Sequence, residues 1–346
     1  MVYHTFQTVI IPALISFIVA LSAVWFLRDY FRGAGIVVED KNKEKPIKLP
    51  TSGGLAVAFG VVVGILTYVF GASFVFAPVV NVYELLAVAL SIMMIALVGF
   101  LDDLNIKARK VMTTDLLDTK VGLKKWQKPL LTIIGALPLM AINAGVSTVT
   151  IPFLGVVDLG IVYPLLVLPI AVIFVSNAFN LLGGYDGVQT GTAGVLAFGL
   201  LVYSLLFGTY IGALLSAMLF AGVMALLPFN KYRASVIPGD SFTYAVGAAL
   251  ISIMALGNAE AFGTVIFIPW FAEFFLHLRR KFRVTDVGRR RSDGTFEAPY
   301  GRKIYSLTHL VMNMKRASEK DIALYLSLIE VAFVVLAFGM KFAGFL

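Results

Sequence analysis

Residues 83–103 read YELLAVALSIMMIALVGFLDD. Between Glu84 and Asp102 no residue is charged, and the run is long enough to cross the hydrocarbon of a bilayer as a helix. It stops on two adjacent carboxylates, Asp102 and Asp103. Apolar runs of this kind recur along the chain. They predict ten spans, at about 7–27, 53–71, 83–101, 129–145, 160–178, 190–207, 210–228, 241–257, 260–277 and 322–344. The fold class expected is an all-α polytopic membrane protein of a single domain over residues 1–346, with a long loop at 278–320. The first run has no basic residue ahead of it and no small-residue cleavage site before Arg28, so it reads as a retained helix. Spans five to nine carry Gly and Pro, which membrane helices tolerate when neighbours satisfy the freed backbone groups. Trp25, Trp126 and Trp270 fall near predicted span ends, where interfacial aromatics sit.

Composition agrees. The 346 residues are 59% hydrophobic and 14% charged, against about 25% charged in a soluble domain. With no Cys, disulfides and thiolate metal sites are excluded. The net charge of +8 would suit nucleic acid, but its distribution assigns it to membrane topology instead. Loops after the first, third, seventh and ninth spans hold 27 of the 28 Lys and Arg residues; Lys341 is the other. The alternate loops hold none, so the basic loops are expected in the cytosol and both termini outside.

Five segments on the expected cytosolic face carry more than topology requires. Lys48-Leu49-Pro50-Thr51-Ser52-Gly53-Gly54 enters the second span, either as a plain turn or as backbone N–H groups open to a phosphate. Asp102-Asp103 is either a polar helix end or a carboxylate pair for Mg²⁺ or proton abstraction. Asn177-Ala178-Phe179-Asn180-Leu181-Leu182-Gly183-Gly184-Tyr185-Asp186-Gly187 has no basic residue, and its two Asn share one helix face. They serve either as glue between helices or as part of a site. Asp240, in Pro238-Gly239-Asp240-Ser241, is either an N-cap or a hard oxygen ligand. The long loop bears Arg280, Arg283 and Arg302 among a run of basic residues, suited to solvent or to a pyrophosphate. His4, His277 and His309 are scattered, so neither a His-based metal site nor a Ser/His/Asp triad is indicated. Oxygen ligands and phosphates suit Mg²⁺, with Mn²⁺ as a substitute. Glu330, near the middle of the last span, reads as a buried, hydrogen-bonded helix contact.

These motifs, in this order at these helix ends, resemble the polyprenyl-phosphate N-acetylhexosamine-1-phosphate transferase family. The resemblance covers nearly the whole chain. It implies ten helices with an outside N-terminus and a cytosolic active site. Asn180 and Asp240 would hold Mg²⁺ at the nucleotide diphosphate. Asp102 and Asp103 would engage the polyprenyl phosphate or the metal, one of them as base, and Lys128 would contact phosphate. Asp186 falls where the family contacts the uracil. Candidate substrate contacts are Lys48, Thr51, Gly53, Asn177, Gly184, Asp186, Arg280, Arg283 and Arg302. The 104–125 stretch looks longer than the eukaryotic pattern, as an insertion would. Gly183 replaces an Asp of the bacterial pattern, and the long loop lacks the His-rich motif of the MurNAc-pentapeptide branch. Both departures favour the archaeal and eukaryotic type. The implied reaction moves GlcNAc-1-phosphate from UDP-GlcNAc to a polyprenyl or dolichyl phosphate, with release of UMP. The alternatives are a phospho-MurNAc-pentapeptide transferase or, in a different class, a nucleotide-sugar or anion transporter. The expected partners are therefore UDP-GlcNAc and the membrane lipid, not nucleic acid; a homodimer is compatible with the sequence. The expected home is the cell membrane, or the endoplasmic reticulum membrane of a eukaryote.

Overall fold

The computed structural model describes residues 2–104, 109–110, 117–118, 123, 126–151 and 155–346. Lys107, Lys120, Lys124, Lys125 and most of the stretch read as an insertion lie outside the described residues. The chain begins with α1 (Val2–Gly33), a short antiparallel hairpin of β1 (Val37–Asp40) and β2 (Ile47–Pro50), then α2 (Gly54–Phe74) and α3 (Val82–Asp103). After β3 (Arg109–Lys110) and β4 (Leu117–Asp118) come α4 (Gln127–Thr132), a 3₁₀ turn and α5 (Leu137–Ala141). The ribbon β5 (Thr148–Ile151) and β6 (Gly155–Asp158) leads through a π turn into α6 (Leu168–Phe179). Next are α7 (Val188–Leu206), α8 (Tyr210–Asn230), α9 (Gly239–Leu256), α10 (Glu260–Ile266) and α11 (Ile268–Leu278). The long loop folds into β7 (Arg289–Arg290), β8 (Thr295–Glu297), α12 (Leu307–Met314) and β9 (Ala317–Ser318), the strands forming one sheet, before α13 (Glu319–Phe342).

The protein is mostly helical and crosses the membrane several times. Among the described residues seven helices are long and apolar enough to span, or eight if α10 and α11, bent by 54° at Phe267, make one crossing. The spans expected at 129–145 and 160–178 are shorter apolar helices, Gln127–Ala141 and Tyr163–Phe179. Proline accounts for the interruption: Pro129 and Pro138 flank the 3₁₀ turn, and Pro164 lies in the π turn that precedes Pro169. Each removes an amide donor from the helical ladder.

Helix α9 is the axis of the bundle, with 94% of it buried, whereas only 28% of the most apolar stretches of α1 and α13 is buried. Large apolar side chains such as Phe26, Phe70 and Leu205 point out of the fold, as a lipid-facing surface requires. Trp25 and Trp126 are exposed, as expected. Trp270 is not interfacial: it is buried and stacks on Phe179 and Phe267 at centroid distances of 5.0 and 4.9 Å. Glu330 is buried as expected, but among the described residues neither of its carboxyl oxygens has a hydrogen-bond partner.

Candidate active site

Among the described residues, four helix starts are capped by a side chain at their own head, α12 by Ser306 among them. Asn81 caps α3, Thr209 caps α8, and Ser318 with Asp321 forms a capping box on α13. Helix α9 has Pro238 at its cap position and no side-chain cap of its own. Its first amides are met by another helix: Asp103 Oδ1 accepts from Asp240 N at 2.8 Å and Oδ2 from Ser241 N at 3.2 Å. Ser52, at φ +63°, donates its Oγ–H to Asp103 Oδ2 at 2.9 Å. A buried carboxylate at a helix N-terminus meets both the orphan donors and the positive end of the dipole.

Two glycines allow this approach. A Cβ on Gly99 would lie 2.4 Å from Asp240 O, and one on Gly54 would lie 2.0 Å from Phe242 N. Helices α2 and α3 therefore touch the backbone of α9 at its first turns. Gly53 belongs to the same contact: its N–H donates to Ile237 O at 3.0 Å, and a Cβ there would meet Val236 at 2.7 Å. The amide read as open to phosphate is thus engaged by the approach to α9. Thr51 is buried beside it, with its N–H on Ile36 O at 3.3 Å.

Around the corner from Asp103, Lys128 at the head of α4 bridges two carboxylates. Its Nζ contacts Asp102 Oδ2 and lies 3.0 Å from Asp240 Oδ2, while Asp102 Oδ1 accepts from Leu123 N. The side chain of Lys128 is 19% exposed, against 2% for each carboxylate, so the group opens toward its surroundings at the lysine. Asn177 Nδ2 donates to Thr132 Oγ1 at 3.1 Å and Ile173 O at 2.8 Å, which ties α6 to α4. Asn180 forms the C-cap position of α6, which packs along α9.

The other candidates lie elsewhere. Asp186 is buried, accepting from Ala234 N at 2.8 Å and pairing with Lys43 Nζ at 2.8 Å. Burial raises its pKa, and the Lys43 and Ala234 contacts oppose the rise. Burial works against the Lys43 charge too, but hydrogen bonds to Asp186, Glu319 and Asp40 outweigh it and hold the lysine above its ordinary range. Gly184, at φ +83°, accepts from Asn42 Nδ2 and lies against Val287 of the long loop. Lys48 is exposed, opposite Glu39 in the hairpin. In the long loop Arg280 sits over the Tyr305 ring at 5.3 Å and Arg283 is exposed. Arg302 lines a cleft of about 560 Å³ with Arg291, Glu297 and Asn313.

Two histidines are less scattered than the sequence suggests. His277 Nε2 lies 2.9 Å from both Glu273 Oε1 and Asp286 Oδ1, and His309 Nε2 is 2.9 Å from the neighbouring Thr285 O. Glu273 Oε2 accepts from Leu307 N at 2.7 Å, so the network fastens the long loop to α11. Sequence reasoning also missed Ser52 and Lys43. Ser52 lay inside a quoted motif, but nothing in its type signalled a bond to Asp103. Lys43 was one basic loop residue among many.

The sequence model described as glycosyl transferase family 4 matches residues 85–258, which include Asp102, Asp103, Lys128, Asn180 and Asp240. The chain is 31% identical to the proposed UDP-N-acetylglucosamine–dolichyl-phosphate N-acetylglucosaminephosphotransferase of Saccharolobus solfataricus, over 95% of each chain. It is 26% identical to the UDP-N-acetylglucosamine–dolichyl-phosphate N-acetylglucosaminephosphotransferase of Dictyostelium discoideum, over 85% of this chain and 78% of that one. It is 31% identical to the phospho-N-acetylmuramoyl-pentapeptide-transferase of Halalkalibacterium halodurans, over 73% of this chain and 75% of that one. With these motifs gathered at the start of one buried helix, and with that similarity along its length, the chain belongs to glycosyl transferase family 4.

Proposed function

We propose that this protein transfers GlcNAc-1-phosphate from UDP-GlcNAc to a polyprenyl phosphate of the dolichyl type, giving polyprenyl-diphosphate-GlcNAc and UMP. The observation that carries the reading is the convergence of Asp102 and Asp103 from α3, Lys128 from α4 and Asp240 from α9 on one helix start. Phosphoryl transfer depends mainly on positioning and charge neutralisation, and this group supplies both. Of the three relatives named above, the two that share more of their length with this chain carry the GlcNAc-transferase name, which favours that donor over a MurNAc-pentapeptide donor.

The donor set suits a hard divalent cation. Asp240 and Asn180 offer oxygen only, and the carboxylates of Asp240 and Asp102 already share one cation, the Lys128 ammonium. Asp240 and Asn180 would hold Mg²⁺, or Mn²⁺ in its place. When bound, the ion supplies neutralisation of the diphosphate oxygens. Lys128 presents positive charge where the group opens and, bridging Asp102 and Asp240, offsets their mutual repulsion. Asp103, turned inward, holds the first turn of α9 so that Asp240 keeps its place. Asp102, on the side opened by Lys128, is the carboxylate that meets the acceptor phosphate and takes a proton from it. The phosphate oxygen of the acceptor then attacks the β-phosphorus, the bond from that phosphorus to the bridging oxygen breaks, and UMP leaves.

In the membrane this reading has ten crossings, counting Gln127–Ala141, Tyr163–Phe179 and the bent α10–α11 pair. The basic loops and the site face the cytosol, and both termini lie outside. A transporter would place its ionisable residues near mid-bilayer, whereas this cluster sits at helix ends. Purified protein, Mg²⁺, a polyprenyl phosphate and radiolabelled UDP-GlcNAc should move label into the organic phase with release of UMP. Absence of transfer from UDP-GlcNAc, together with transfer from UDP-MurNAc-pentapeptide, would move the protein to the other branch.

A further inference from the structure

Lys43 lies between β1 and β2, and its Nζ is 2.9 Å from Asp40, 2.8 Å from Asp186 and 2.7 Å from Glu319. The three carboxylates belong to three separate stretches: the end of β1, the turn before α7, and the first residue of α13. A fourth stretch joins through Asp186, which accepts from Ala234 N at 2.8 Å. Further bonds cross-link the four. Asp186 N donates to Glu319 Oε1 at 2.9 Å, Asn42 Nδ2 donates to Gly184 O, and Gly187 N donates to Asn230 Oδ1 at 3.2 Å. The ring of Tyr232 lies under Lys43 at 5.4 Å and under Lys320 at 4.9 Å.

The cluster includes Asp186, one of the expected substrate contacts, and the chain links it to the two residues expected at the metal. Asp186 follows Asn180 by six positions, and Ala234 precedes Asp240 by six. Both residues assigned to the diphosphate thus lie at the end of a short segment whose other end is fastened at Lys43. Without the ammonium, three buried carboxylates would face one another, and like charges in a poorly solvated place push apart. The turn at 184–187 and the segment at 231–238 would then separate.

We propose that Lys43 is a positioning residue for the nucleotide side of the site: by holding Asp186 against Asp40 and Glu319, it fixes the segments that end in Asn180 and Asp240. The inference rests on the transferase reading above.

The test uses the full chain in detergent, with variants Lys43→Met, Lys43→Arg, Asp186→Asn and the Lys43→Met/Asp186→Asn double. Initial rates are measured against each substrate in turn, with UDP binding by calorimetry and a melting curve for every variant. Lys43→Met should raise KM for UDP-GlcNAc by about tenfold or more, the scale on which small displacements act. KM for polyprenyl phosphate should stay within about twofold, and Lys43→Arg should recover most of the loss. The double variant should be no worse than either single, as members of one unit behave. An unchanged KM for UDP-GlcNAc in Lys43→Met, or losses that multiply in the double, would overturn the proposal. Equal losses toward both substrates with a lowered melting point would overturn it too, as those mark a general defect in folding. Should the wild type fail to transfer, the functional reading fails first. Calorimetry then still decides, since equal UDP binding by wild type and Lys43→Met, or none by the wild type, removes the inference.

Discussion

Replacing Asp103 by Asn keeps the side chain's shape and removes one lone-pair face, which makes it a sharp probe of how α9 is held. Asp103 Oδ1 accepts from Asp240 N at 2.8 Å, and Oδ2 accepts from Ser52 Oγ at 2.9 Å and Ser241 N at 3.2 Å. An amide has a single oxygen. If it stays toward Asp240, the NH₂ group faces Ser52 and Ser241; the Ser52 hydroxyl can turn and accept, but the Ser241 N–H cannot. If the amide flips, the NH₂ meets the N–H of Asp240. Either way a buried backbone donor loses its acceptor, and a hydrogen bond to a charged group contributes about 1.5–3 kcal/mol. The bond that remains becomes neutral, and the favourable charge at the helix N-terminus, about 0.5–1 kcal/mol, is lost as well. The sum is about 3 kcal/mol, which lowers the melting point of the detergent-solubilised protein by about 5 °C or more. Because Asp240 sits on the displaced turn, kcat should fall by about a hundredfold. Melting within about one degree of wild type, with near-normal transfer, would refute the role given to Asp103. Ser52→Ala, which removes one donor to the carboxylate and leaves both backbone donors in place, should cost less, about 1.5 kcal/mol.

Three further outcomes follow from the same geometry. Lys128→Met leaves Asp102 and Asp240 without their shared ammonium and should cut transfer by about a hundredfold or more, as removal of a charge stabiliser does, with a higher Mg²⁺ concentration for half-maximal rate. Unchanged metal dependence would count against that bridge. Gly99→Val should prevent recovery of folded protein in membranes, because even a Cβ would lie 2.4 Å from Asp240 O; normal yield would remove the close contact of α3 with α9. His309 is buried, and burial pulls its pKa from 6.5 down to about 4, opposed by the Thr285 carbonyl. Between those two values the unfolded chain binds the proton and the folded one does not, so stability falls as pH drops from 6.5 toward 4. His309→Gln should flatten that part of the melting-point profile, and an unaltered slope would show that other groups set it.

The sequence made the membrane character legible, along with which helix ends carry chemistry. Each apolar run predicts its own helix by length and composition, whatever its neighbours do. Asp102-Asp103 and Asp240 were visible because carboxylates beside such runs are costly without a purpose. The reading of Gly53 as a phosphate contact shows the limit of that approach. Glycine at a helix start suits a phosphate or a neighbouring backbone equally, and only the packed neighbour, here the 236–238 backbone, decides between them. Trp270 was misplaced for a related reason, since a position near a span end does not say which way the ring turns.

By itself, then, the sequence determined a multi-helix membrane enzyme of this family and the residue types at its site, because hydropathy and short motifs are local properties of the chain. What only the tertiary structure decided was which way each carboxylate faces and what it touches. Asp102 and Asp103 are neighbours in sequence, yet α3's rotation turns one toward Lys128 and the other onto the amides of α9. Lys43 and Glu319, 276 positions apart, came to share an ion pair only when the bundle closed. A charged contact is set by where two helix ends meet in space, and no local pattern records that meeting.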